Sequence, residues 1–125
     1  MIFDSDILIW YFKRNEKAAL LLNDVTARTI STQTYMEIMQ GARSKVEQVI
    51  IRETLKVSNF RILALTDAIG HRATIYIEEY ALSHGLRSGD ALIAATAFEY
   101  GETLATGNAK HFQCIPGLEL EIFKP

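Results

Sequence analysis

The chain has 125 residues and a formal net charge of −2, which gives room for one domain over residues 1–125 and no second core. Hydrophobic residues make up 49% and charged residues 22%, which excludes a disordered chain, and the single Cys114 excludes a disulfide framework or a multi-cysteine zinc site. No apolar run reaches bilayer length, and a lone thiol without a leader-like segment leads to the expectation of a cytoplasmic protein with no membrane association.

Residues 1–3 form a short apolar run that reads as a buried strand. Asp4-Ser5-Asp6 then caps a helix containing Ile7, Leu8, Trp10 and Tyr11. Residues 15–24 read as an amphipathic helix with Ala18, Leu21, Leu22 and Val25 at helical spacing, and 27–32 as a strand ending in polar residues. A short helix over 34–42 stops near Gly41. Residues 44–57 carry Val46, Val49, Ile50 and Leu55 on one helical side. A strand over 60–65 follows, then a long helix from Thr66-Asp67 toward Gly85. Ser88-Gly89-Asp90 precedes an Ala-rich helix over 91–100, and strands are expected over 102–106 and 118–123.

Strands alternating with helices predict an α/β fold, three layers α/β/α around a mostly parallel central sheet. No repeat or Pro/Gly/Ser linker marks an internal boundary. The 1–3 and 102–106 strands both stop at short polar residues, and ligands of open α/β sheets gather outside the carboxyl ends of strands.

Four residues stand out there: Asp4, Glu37, Asp90 and Asn108. Each has a local explanation. Asp4 and Asp90 can cap the helices that follow them, Thr34-x-x-Glu37 fits a capping box, and Asn108 suits the turn after Gly107. Together, all four fall at strand ends or first helical turns, which in this architecture can mean one edge of one sheet. Carboxylates converging in a cleft repel one another unless a cation neutralises them. Hard cations such as Mg²⁺ and Mn²⁺ take such oxygen ligands, activate water and stabilise an attacked phosphate. Carboxylates alone leave the substrate open, and a net charge of −2 offers no general basic footprint for nucleic acid.

The segments Asp4-Ser5-Asp6-Ile7-Leu8, Ser31-Thr32-Gln33-Thr34-Tyr35-Met36-Glu37-Ile38, Gly89-Asp90-Ala91-Leu92-Ile93-Ala94-Ala95-Thr96-Ala97 and Leu104-Ala105-Thr106-Gly107-Asn108-Ala109-Lys110-His111-Phe112 together resemble the PIN-domain family in order and spacing. Ile115-Pro116-Gly117-Leu118 resembles the closing stretch of its VapC-like members. The resemblance covers essentially the whole chain and rests most on the Asp90 and Thr106–Phe112 segments. It implies a Mg²⁺- or Mn²⁺-dependent endoribonuclease that hydrolyses RNA phosphodiester bonds, with Asp4, Glu37 and Asp90 as metal ligands. Asn108 falls where the family places its fourth, more variable catalytic residue, Asp or Asn; as a neutral amide it could ligate a metal, bind metal-bound water or merely orient a neighbour. Asp6 stands where the family often has Asn and adds a carboxylate behind the ligands. The VapC-like branch further implies the toxin of a type II toxin–antitoxin pair, a cognate antitoxin that occludes the site, and a homodimer.

Around this set, Thr106 reads either as a hydroxyl beside the carboxylates or as a strand-end residue bonding its own backbone. Arg43, Lys45, Arg87 and Lys110 are candidates for a positive rim toward RNA, each also readable as solvated surface charge. His111 reads as a packing or hydrogen-bonding residue rather than a ligand. Trp10, Tyr11 and Phe12 read as core or interface rather than a base-stacking platform. Two rival readings share these residues. A haloacid-dehalogenase-like phosphatase would use Asp4-x-Asp6, but it needs a second acidic residue soon after Asp90, where Ala91 to Ala97 supply none. A catalytically inactive PIN-like interaction module is the other.

Overall fold

A computed structural model describes residues 1–125. Five short strands form one sheet: β1 (Ile2–Phe3), β2 (Arg28–Ser31), β3 (Phe60–Leu63), β4 (Leu104–Thr106) and β5 (Leu120–Ile122). Their order is β3-β2-β1-β4-β5 and every neighbouring pair is parallel. Seven helices cover it: α1 (Ser5–Phe12), α2 (Glu16–Asn23), α3 (Thr32–Gly41), α4 (Lys45–Val57), α5 (Asp67–His84), α6 (Ser88–Glu99) and α7 (Ala109–Phe112).

Strand alternation splits the core in two. Ile2 and Leu104 point to one face, where they pack with Ile69, Ala73 and Tyr76 of α5, Ala91, Ile93, Ala94, Ala95 and Ala97 of α6, and Phe112. Phe3, Ile30 and Ala105 point to the other, against Ile7 and Leu8 of α1, Leu22 of α2, Ile38 of α3, and Ile51 and Leu55 of α4. The small side chains of α6 let it approach the sheet closely, and that helix is the most thoroughly buried of the seven.

The chain builds outward from β1 to β2 and β3, then returns across the sheet to place β4 on the other side of β1. The order therefore reverses between β1 and β4, and a crevice opens outside their carboxyl ends, where ligands bind in open α/β sheets. The Asp4 N–H bonds the Ala105 carbonyl at 2.9 Å, which locks the two strand ends in register at that point.

Several boundaries differ from the sequence expectation. Helix α3 starts at Thr32, two residues early, because Ser31 is its N-cap and accepts from the Thr34 N–H at 2.9 Å. Thr34 is thus inside the helix and fully buried, and the capping box with Glu37 does not form. Helix α6 starts at Ser88, since the Ala91 N–H closes a turn onto the Arg87 carbonyl at 2.9 Å. Asp90 therefore lies within the first turn rather than capping it. On α4 only Leu55 of the four expected residues is buried; Ile51 is its partner, while Val46, Val49 and Ile50 are exposed. Helix α7 was not expected: four residues are too few for a periodic signal.

Candidate active site

Three helices bring carboxylates to the crevice. Asp4 is the N-cap of α1 and only 4% exposed. Both of its oxygens are engaged: Oδ1 accepts from the Ser5 N–H at 2.7 Å and Oδ2 from the Thr106 hydroxyl at 2.8 Å. Glu37 projects from α3, which packs against α6, and Asp90 stands in the first turn of α6. Gly89 keeps this join close: a Cβ there would come 3.1 Å from Gln33 Nε2, which would have to shift slightly, and 3.5 Å from Glu37 Oε2.

The β4–α7 turn supplies the remaining wall. Thr106 fulfils both of its sequence readings, since its oxygen also accepts from the Asn108 N–H at 2.9 Å. Asp6 reaches across to the same turn, where its Oδ2 accepts from the Gly107 N–H at 2.8 Å, with the Asn108 side-chain amide at 3.4 Å. A Cβ on Gly107 would lie 2.6 Å from that oxygen and 3.3 Å from the Phe123 carbonyl, so glycine is required by close approach. Asn108 is exposed and makes no side-chain cap for α7.

The electrostatics are those of crowded carboxyls. Burial holds Asp4 above the usual carboxylate range, against hydrogen bonds from Thr106 and Ser5. Burial and then the charge of Asp4 push Asp6 up to about 6. Burial, then Asp4 and Asp90, raise Glu37, opposed by a hydrogen bond with Ser5. Asp90 is raised mainly by burial, opposed first by His111, with the charge of Asp4 adding to the rise. Two buried oxygens, Asp6 Oδ1 and Glu37 Oε1, meet no protein donor.

Such a donor set fits a hard divalent cation. Ionised carboxylates this close stabilise a cation and are stabilised by it, and the two orphaned oxygens would gain a partner. No three of the His, Cys, Asp and Glu side chains close round a common point. Each ion would therefore take one or two protein ligands, with water or phosphate completing its shell, the way Mg²⁺ is commonly held.

The expected positive rim is uneven. Arg87 is exposed at the N-cap of α6 and its charge reaches Asp90. Lys110 is exposed on α7, two residues after Asn108 and next to His111 in sequence. Arg43 is drawn toward Glu47 at 3.4 Å, yet it lines a groove that also holds Glu37. Lys45 is exposed at the start of α4 and lies outside that groove's lining. Sequence reasoning passed over Lys13, which lines the groove, and underrated Ser5, Gln33 and His111. Only the fold discloses Gln33 and His111, which meet Gly89 and Asp90 far away in sequence. Trp10 is at the surface, whereas Tyr11 and Phe12 pack against the core. No helix is long and apolar enough to cross a membrane.

A PIN domain family model matches residues 1–116. The chain is 33% identical over 118 residues to a Mycobacterium tuberculosis protein named Ribonuclease VapC10, covering 90% of this chain and 85% of that one. Among solved structures it is similar to a chain of a toxin–antitoxin complex from Klebsiella pneumoniae, with 33% identity, a TM-score of 0.78, and 94% and 93% of the two chains covered. A chain of VapBC2 from Rickettsia felis, crystallised on a promoter DNA fragment, shares the fold at a TM-score of 0.81 and 24% identity, with 99% and 100% covered.

Proposed function

The chain belongs to the PIN-domain family, and from that premise we propose that it is the toxin ribonuclease of a type II toxin–antitoxin pair, hydrolysing RNA with the help of Mg²⁺ or Mn²⁺. The observation that carries the metal-dependent part is the convergence of Asp4, Glu37 and Asp90 at the β1/β4 crevice, with two buried carboxylate oxygens lacking any partner. The haloacid-dehalogenase alternative loses its support with the family assignment. Its missing second acidic residue stays missing, because Glu99, the one acidic side chain at the end of α6, is held by Arg72 at 2.8 Å.

A bound divalent cation would supply Lewis acidity toward the scissile phosphate and a more acidic water at neutral pH. Asp4, Glu37 and Asp90 would share it, one or two as direct ligands and the rest through bound water. Thr106 and the Ser5 N–H fix the Asp4 carboxylate in one orientation, so its charge is positioned before substrate arrives. Asp6 pins the Gly107 turn and so sets where Asn108 stands. Arg87 and Lys110, exposed beside Asp90 and Asn108, suit contacts to RNA phosphates, with Arg43 in the α3–α4 connection and Lys45 at the start of α4.

A groove of about 490 Å³ between α1, α3 and α4 supports control by an antitoxin. Ile9, Phe12, Ile38, Ile50 and Ile51 line it, together with Glu37. An apolar segment lying there would cover a catalytic carboxylate, so inhibition and docking would be one event. A homodimer is part of the same reading. Ile75 and Leu82, seven residues apart on α5, are 43% and 104% exposed and present apolar surface for a second copy.

Structured RNAs incubated with purified protein and Mn²⁺, with the cut sites mapped, test the activity. Cuts that disappear in Asp90→Asn are expected. Phosphatase turnover without RNA cleavage would favour the rival enzyme, and neither activity in a folded protein would favour an inactive interaction module.

A further inference from the structure

The β4–α7 turn delivers one group that a purely carboxylate site does not use. His111 is placed by α7, its N–H bonded to the Asn108 carbonyl at 3.0 Å. Its Nδ1 lies 3.6 Å from Asp90 Oδ2, and its side chain is 55% exposed against 20% for Asp90. That separation is longer than a hydrogen bond, so the ring is beside the carboxylate without being bonded to it. The same ring is near enough to Asp4 to act on its charge as well. Across the site, the Asn108 amide faces the Asp6 carboxylate, so residue 108 itself brings no carboxylate to that edge.

We propose that His111 is a metal-selectivity residue, a nitrogen donor beside Asp90 that favours Mn²⁺ over Mg²⁺ at this site. This rests on the metal-dependent reading given above. Mg²⁺ is served by oxygen ligands and keeps its waters, whereas imidazole is an accepted ligand of transition metals. Asp90 and His111 form a two-donor pair with one oxygen and one nitrogen. Such a pair adds nothing for Mg²⁺ beyond Asp90 itself but adds a second bond for Mn²⁺. A purely structural His111 would instead be an ion-pair partner of Asp90, indifferent to which cation is present.

The test uses the whole chain and does not depend on cleavage. Calorimetric titrations with MnCl₂ and with MgCl₂ compare wild type, His111→Ala and His111→Asp. Pulsed electron paramagnetic resonance of the Mn²⁺-loaded proteins then reads nitrogen coupling at the ion. Wild type should show imidazole nitrogen coupling that His111→Ala lacks, with the Mn²⁺ over Mg²⁺ preference falling about tenfold. His111→Asp should move the preference further toward Mg²⁺. Mn²⁺ bound to wild type without nitrogen coupling, or an unchanged preference in both variants, overturns the role of His111 and leaves the metal-dependent reading intact. Failure of wild type to bind either ion overturns both.

Discussion

Thr106 donates its hydroxyl to Asp4 Oδ2 at 2.8 Å, tying together residues 102 positions apart at the ends of β4 and β1. Both are buried, and the same oxygen accepts from the Asn108 N–H. Thr106→Val keeps the shape but leaves a buried carboxylate and a backbone donor each short of a partner. The expected cost is about 1–3 kcal/mol, read from urea unfolding, with Thr106→Ser near wild type. A Val variant as stable as wild type would mean that water replaces the hydroxyl without loss.

Asp4, Asp6, Glu37 and Asp90 are all raised, Asp6 to about 6. Between the ordinary carboxylate range and these folded values, the folded state binds protons that the unfolded chain has released. Stability of the metal-free protein therefore falls as pH rises through that window and stays lower above it. Urea midpoints measured with a chelator should be higher near about pH 5 than near about pH 7.5. Mn²⁺ binds the ionised carboxylates and should restore the loss at the higher pH. A flat profile with chelator would show that neither burial nor mutual repulsion holds these carboxyls above their ordinary range.

Gly107 and Asp6 form a pair that one mutation alone misreads. A methyl at 107 would collide with Asp6 Oδ2 at 2.6 Å, and the Phe123 carbonyl at 3.3 Å limits retreat on the other side. Gly107→Ala should be destabilising in wild type and less so in an Asp6→Ala background. A double-mutant cycle should then give a coupling of roughly 1 kcal/mol or more. Additive effects would place the clash on Phe123 instead.

Much of this was readable from the chain. The α/β alternation, the caps at Asp4 and Thr66 and the strand positions follow from hydrophobic period and cap chemistry, and every strand pair proved parallel. Asp4 and Asp90 were legible because they sit at a strand end and in a first helical turn, whereas Glu37 falls in the second turn of α3, which starts two residues earlier than its sequence signal. What was not legible depends on contacts between distant segments. Ser31 competes with Thr34 as the cap of α3, and the sequence holds both signals. Val46, Val49 and Ile50 on α4 are exposed, Ile50 in a groove, and period alone cannot distinguish such a face from core. The approach of His111 to Asp90 is set by α7, a helix too short to announce itself.

Production of the chain without an antitoxin should slow growth, and Asp4→Ala should relieve it. Asp4 is buried with its pKa raised by desolvation, so its removal deletes a charge that the fold does not favour, which offsets the loss of the α1 cap and of the Thr106 hydrogen bond. The variant should therefore accumulate folded, which a circular dichroism spectrum of the purified protein checks. Toxicity retained by folded Asp4→Ala would remove Asp4 from the reaction.

Asn108→Asp is the most informative single change at this site. The native amide offers its N–H₂ side to Asp6 Oδ2 at 3.4 Å, whereas a carboxylate there would set two anions against each other. Without metal, the variant should be less stable than wild type at neutral pH, since like charges at close range disfavour the folded form. With Mn²⁺ the sign should reverse, because the added carboxylate provides an oxygen ligand and a charge for a second cation. Wild type is expected to hold one ion tightly in the absence of RNA, with a second drawn in by the substrate phosphate, and Asn108→Asp to hold two. Cleavage by the variant can move in either direction, since tighter binding of a cation in the ground state need not favour the transition state. Stoichiometry therefore decides the matter, read by calorimetry or by anomalous diffraction from Mn²⁺-soaked crystals. Two tightly bound ions in wild type without RNA would show that Asn108 does not limit the second position.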